Sequence, residues 1–194
     1  MPLALPPAPG AERYLVLDFA NSAHVLPGEQ VFDLLESPAS ATGWLVEREL
    51  ASTQAQLQEV CAGRLRDFRD QVRALLAARI AELPAPPEGL AAVNTALTSV
   101  PSASLLRWDE AHGLHRAQMH PTDQVVDHAL AVLAADAADL LTGSDAERLA
   151  TCGAVPCRRY LLRTHASRHW CSVRCGDRVR AARAYARRTQ SRPG

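Results

Sequence analysis

The chain has 194 residues, 47% of them apolar, and its 21 basic and 21 acidic side chains give a formal net charge of zero. This length suits one core of about 140–150 residues plus a small appendage. No run offers the roughly 20 uninterrupted apolar residues of a membrane span, since the best stretch, 129–141, is broken by Asp136 and Asp139. The zero balance hides a dipole. Lysine is absent, and eleven of the 21 arginines lie at or after Arg158. Against one acid, Asp177, they give the segment from 151 a charge of +10, while ten arginines against twenty acids give residues 1–150 a charge of −10. Few aromatics and abundant alanine point to close-packed helices. The first residues show no basic start, apolar core or small-residue cleavage site, so a reducing cytoplasm is expected.

Residues 1–12 are proline-rich and expected to be loose. Tyr14 to Asn21 (YLVLDFAN) reads as a short strand or apolar segment ending in a polar turn. Asp18 and Asn21 there either bind a ligand or tie down the turn. Helical patterns occupy 29–36 and 39–52, the second opening after Ser37-Pro38 with Trp44 and Leu45 on its apolar side. The long helix is 55–83. Leu57, Cys61, Leu65, Phe68, Val72, Leu75, Leu76 and Leu83 form its stripe, with Cys61 as a core thiol. Arg66, Arg69 and Arg73 line another face, read as solvated, with pairing to Asp67, Asp70 or other acids, or a ligand pocket, as the alternatives.

Pro84 to Pro87 end that helix, and 88–99 resumes a shorter one. The period then changes. Residues 104–108 and 114–119 flank Asp109-Glu-Ala-His-Gly113 as a β-hairpin, which gathers His112, His115 and His120. Their spacing matches no metal motif, so unperturbed histidine is the default and an acid/base or metal site the alternative. Residues 122–142 form another helix, capped by Thr122 and Asp123, with Val126, Ala129, Leu130, Leu133, Ala137 and Leu140 among its buried side. The connection over 143–148 is short, so the C-terminal segment should pack on the body.

That segment carries Cys152/Cys157 and Cys171/Cys175, two close pairs with thirteen residues between them. Two knuckles of this spacing can converge on one tetrahedral Zn²⁺. With four thiolates there is no open position for water, so the zinc is structural. Two disulfides are the alternative, and His165 or His169 could replace one thiolate. A helix over 177–189 carries Arg180, Arg183 and Arg187 in one stripe, with Asp177 as its N-cap and Val179 and Ala182 turned toward the knuckles. Such a stripe can bind phosphates or pair with the acidic body of the same chain.

The run SRHWCSVRCGDRVRAARAYARR resembles the C-terminal signature of the CGNR zinc finger proteins, bacterial proteins described as putative stress-induced transcription regulators. Ser167, Arg168, Trp170, Cys171, Ser172, Cys175, Gly176 and Arg178 stand at the family's positions, with Cys152 and Cys157 as the earlier pair. LDFANS near the start is similar to the L-D-F-x-N-T motif that opens the family's N-terminal domain, so the resemblance covers both ends. His169 replaces a second arginine and Asp177 the asparagine of C-G-N-R; the second cysteine pair is one residue closer, and Arg163 stands near a usual aspartate. The resemblance implies that the four cysteines bind zinc and that the module binds DNA.

The expected architecture is α+β and mostly helical. Residues 1–147 form a helical domain with a small β-hairpin, for ligand sensing or dimerisation, and 148–194 a four-cysteine zinc module ending in a basic helix. The expected function is a bacterial, cytoplasmic transcription regulator, with Arg178, Arg180, Arg183, Arg187 and Arg188 as DNA contacts. The partners are DNA, an unidentified small-molecule effector and a second copy in a homodimer, with no membrane. The alternative is a small-molecule-binding protein or enzyme using Asp18, Asn21, Arg69, His112 and His115, the zinc module serving as a brace. No Ser/His/Asp triad, glycine-rich phosphate loop or carboxylate pair is apparent, so catalysis is the weaker expectation.

Overall fold

A computed structural model describes residues 6–25, 30–100, 104–118, 124–165 and 167–190. Six helices stand among these residues: α1 (Leu15–Ala20), α2 (Pro38–Glu47), α3 (Glu59–Ile80), α4 (Pro87–Ser99), α5 (Val125–Thr142) and α6 (Val173–Gln190). Three antiparallel two-stranded ribbons join them: β1 (Ala23–Val25) with β2 (Val31–Asp33), β3 (Ser104–Asp109) with β4 (Gly113–Gln118), and β5 (Leu149–Thr151) with β6 (Tyr160–Leu162). The α+β, mostly helical expectation holds.

The 14–21 segment is a helix, not a strand. Its six residues are too few for apolar periodicity to decide the matter, and burial of Val16, Leu17, Phe19 and Ala20 fits a turn and a half of helix in the centre of the core. Asp136 of α5 accepts the Val16 N–H at 2.6 Å, satisfying one free donor at the start of α1. Phe19 meets Trp44 of α2 at 5.5 Å and Phe68 of α3 at 6.0 Å between ring centroids. Around these rings, Leu45, Leu65, Leu76, Leu133 and Leu140 are completely buried. Those contacts, rather than local propensity, hold α1.

The expected helix over 29–36 is also corrected. Residues 31–33 are a strand, with Val31 paired to Val25 and Asp33 to Ala23, and Leu34 N–H donating to Ser22 O. The helix expected over 39–52 starts on a Ser37/Ser40 capping box with Pro38 in its first turn and stops at Glu47. There the N–H of Leu50 reaches Leu45 O and that of Glu49 reaches Val46 O, a Schellman ending with Glu49 at φ 57°. The long helix ends the same way, through Leu83 to Ala78 O and Glu82 to Arg79 O, with Glu82 at φ 55°. Neither ending carries the usual glycine, so both helices are shorter than their apolar stripes suggest. Leu83, assigned to the stripe, is exposed.

The arginine face of α3 is not a solvated face. Arg66 donates to Leu35 O and Glu36 O, and Arg73 to Ala20 O at the end of α1. Arg69 is buried, and its guanidinium forks onto Asp33 at 2.6 and 2.8 Å while also donating to Ser22 Oγ. This arginine row therefore ties the loops after α1 to the long helix.

The hairpin over β3 and β4 forms as expected, with Trp108 opposite Leu114 and Gly113 at φ 62° in the turn. His120, Thr122, Asp123 and Arg192 lie outside the described residues. No helix among the described residues is long and apolar enough to cross a membrane.

The C-terminal segment packs on the body through β6, since Tyr160 and Leu162 belong to the main core. Asn21 makes the join. Its side-chain amide donates to Tyr160 O at 2.8 Å and its oxygen accepts the Tyr160 N–H at 2.7 Å, so one buried side chain satisfies both backbone groups of a strand residue. Arg73 stacks over the Tyr160 ring at 5.0 Å, and Tyr160 donates its hydroxyl to Arg73 O. Asn21→Ala strands two buried backbone groups and is expected to cost about 1–3 kcal/mol, read as a lowered midpoint in urea. An unchanged midpoint would mean that water replaces the amide at no cost.

Candidate metal centre and basic helix

The cysteines are brought together by a ribbon and a helix start. After β5 the chain turns through 152–159, held by the Cys152 N–H to Arg159 O at 2.8 Å and the Cys157 N–H to Ala154 O at 2.7 Å, and returns as β6. The segment before α6 is laid across this knuckle, with Gly153 donating to His169 O and the Cys171 N–H pointing at Cys152 Sγ. Cys175 occupies the first turn of α6, where its N–H donates to Ser172 Oγ. One ligand therefore belongs to the helix itself.

All four sulfurs are buried and lie within 4.8 Å of one another. Cys171 Sγ stands 3.7 Å from both Cys157 Sγ and Cys175 Sγ. A tetrahedral zinc with bonds of about 2.3 Å requires sulfurs about 3.8 Å apart, whereas a disulfide requires about 2.05 Å. The observed spacing fits the metal and excludes bonded pairs. The packed thiols share protons: hydrogen bonds with Cys157 and Cys171 favour the Cys152 thiolate, and hydrogen bonds with Cys152 and Cys171 keep Cys157 protonated. A divalent cation at the centre replaces those shared protons. His165 and His169 are exposed and outside the group, His165 instead meeting Ser167 Oγ at 2.8 Å.

Two arginines complete the centre, and sequence reading missed this role for both. Arg159, buried, reaches Cys171 Sγ at 3.8 Å and Pro6 O at 2.8 Å. Arg178 reaches Cys175 Sγ at 3.8 Å and Ala154 O at 2.8 Å. Zn²⁺ with four thiolates carries two net negative charges, and these guanidiniums offset them. The only sequence signal was position: Arg159 is two residues past Cys157, and Arg178 one helical turn past Cys175.

The helix α6 begins at Val173, four residues before the expected start, so Asp177 is no N-cap. Its carboxylate instead pairs with Arg180 at 2.6 Å. The cap site shifts because Cys175 must sit in the first turn to face the other thiolates. Val179 packs against the cysteine cluster as expected, but Ala182 is exposed. Beyond Gly176 no α6 residue is buried, and Arg180, Arg183, Arg187 and Arg188 are all exposed while Arg178 is turned into the finger.

Each of the five alternative ligand-binding residues has a partner within the fold. Asp18 pairs with Arg48, Asn21 holds Tyr160, and Arg69 holds Asp33. His112 and His115 share Asp109 in the β3–β4 hairpin. A cavity of about 240 Å³ in the body is bordered instead by Gln54, Cys61, Arg64, Gln124 and Asp127, which places Cys61 at a cavity edge as well as against the core.

Fold and site define a zinc finger protein: a mostly helical body followed by a four-cysteine module with a structural Zn²⁺ site and a basic helix. Residues 14–144 match the family described as "Putative stress-induced transcription regulator" (ABATE), and residues 148–188 match the CGNR zinc finger. The chain belongs to this family. No curated protein matches it.

Proposed function

We propose that the chain is a bacterial, cytoplasmic transcription regulator that binds duplex DNA through α6. Residues 148–194 serve as the DNA-binding unit and residues 1–147 as the part that senses a small molecule or forms a homodimer. One observation carries this reading: α6 is anchored at its first turn by Cys175 and projects arginines with no buried residue beyond Gly176. An arginine helix acting as a brace would lie against the acids of the body. Here Arg180, Arg183, Arg187 and Arg188 are open to solvent, in a geometry suited to phosphates and guanine edges. Arg178, bound to Ala154 O and facing a thiolate, leaves the proposed contact set. The family description supports the same reading.

Arg183→Glu tests it. Removing one phosphate-neutralising arginine lowers the dependence of log K on log salt by about one. The variant is expected to bind a mixed pool of duplex fragments at least tenfold more weakly, with its salt slope reduced by roughly that amount and its zinc content unchanged. Equal affinity and slope would remove α6 from the interface.

A further inference from the structure

We propose that the cavity at the foot of α6 is a phosphate-binding site, and that it holds a backbone phosphate of the DNA. The source of the phosphate rests on the proposed DNA binding; the chemistry of the cavity does not. The cavity has a volume of about 240 Å³, and its polar lining comes from His165, Ser167, Arg168, Ser172 and Arg180, beside the Trp170 ring. Among the described residues, no carboxylate borders it. Arg168 borders the cavity as a half-buried cation whose Nε has no hydrogen-bond partner among the described residues.

Arg180 provides the second cation. Its guanidinium lies over the Trp170 ring at 5.6 Å, and its bond to Asp177 joins two half-exposed side chains. An ion pair of that kind contributes little and exchanges readily for a phosphate. Gly176 keeps the cavity open at its floor. A Cβ there would stand 3.0 Å from Arg180 Nη1 and 3.1 Å from Trp170 Cε3, so a larger residue would push the Arg180 head group and the indole outward by a few tenths of an ångström. The cavity opens at the N-terminal end of an 18-residue helix, whose positive pole favours an anion. Gly176, Arg180, Arg183 and Arg187 lie along one face at helical spacing, which puts the cavity in line with the arginine stripe over about 16 Å of helix. Two guanidiniums from different segments, two serine hydroxyls and a helix N-terminus suit a tetrahedral oxyanion better than a planar carboxylate.

The test uses full-length, zinc-loaded, ¹⁵N-labelled protein and the Arg168→Gln variant, with zinc measured on each. The probes are mixed-sequence duplex DNA at two salt concentrations and inorganic phosphate, read by affinity and by the Trp170 indole N–H signal. Arg168→Gln is expected to keep its zinc, to bind duplex about tenfold more weakly with a salt slope lower by about one, and to lose the duplex-induced shift at Trp170. Gly176→Ala, which fills the floor, should give the same losses. If wild type binds duplex and Arg168→Gln binds it equally with the same slope, the phosphate site is overturned while the DNA reading stands. If duplex fails to bind but inorganic phosphate shifts Trp170 saturably and Arg168→Gln abolishes the shift, the site stands with a free phosphorylated ligand, and the DNA reading fails. If neither probe moves Trp170, the site is overturned.

Discussion

Cys171→Ser is expected to purify without stoichiometric zinc, with the signals of residues 149–190 collapsed in an amide NMR spectrum while those of α2, α3, α4 and α5 persist. Cys171 is at the centre of the sulfur group, 3.7 Å from two other thiols and bonded through its N–H to Cys152 Sγ. Among the described residues, the small core around the four cysteines adds only Ala8, Ala154 and Leu161, with Trp170 and Val179 at its margin. Three such side chains bury too little apolar surface to hold a segment of about 40 residues. Metal binding at sites of this type contributes on the order of 10 kcal/mol, so the metal outweighs apolar burial in holding the finger together. Loss of the finger also withdraws Tyr160 and Leu162 from the main core, which should lower the stability of the body by a few kcal/mol at roughly 2 kcal/mol per buried side chain. Retention of one zinc per chain with an unchanged spectrum would contradict the four-thiolate assignment.

Arg69→Met is expected to produce the largest loss in the body, about 3–5 kcal/mol, because it leaves the Asp33 carboxylate partly buried without its partner. For a chain of this length that corresponds to a fall in Tm of roughly 10 °C. Burial alone would raise the Asp33 pKa, but the Arg69 hydrogen bonds, the Leu35 N–H and the nearby guanidiniums outweigh it and hold the carboxyl below its usual range. A carboxyl depressed in the folded state stabilises fully above its unfolded pKa of about 3.9. That contribution is lost as pH falls through the folded value, and Arg69→Met should remove this part of the acid limb. Adding Asp33→Leu to Arg69→Met should recover some stability, since a buried pair replaced as a whole costs less than one broken. A double variant no more stable than the single one would show that the defect lies in packing.

The features legible in the sequence were those that depend on local pattern. The long apolar stripes located α3, α4 and α5, and the cysteine spacing located the metal centre. The errors fall where tertiary context decides. LVLDFA is apolar at almost every position, so only packing against α3, α5 and Trp44 of α2 makes it a helix. Residues 31–33 pair with a strand a few residues away while their flank bonds to Ser22, neither of which leaves a periodic trace. Arg69 read as solvated because its partner, Asp33, is 36 residues earlier and carries no signal of its own. The ligand role of Cys175 shows why α6 starts early: four converging thiolates set the position of the helix, overriding the capping preference of Asp177. The glycine of the C-G-D-R run was legible as a motif but not as a mechanism, since its close approach to Trp170 and Arg180 exists only once the helix has formed.

The most direct test of DNA binding through a zinc-ordered α6 is binding of the full chain to a mixed pool of duplex genomic fragments at two salt concentrations, with zinc measured on the same sample and repeated after chelation. The expected result is about one zinc per chain, binding that weakens steeply as salt rises, and loss of that binding with the metal. One zinc per chain with no binding to duplex even at low salt would contradict it, leaving the finger as a brace for the acidic body.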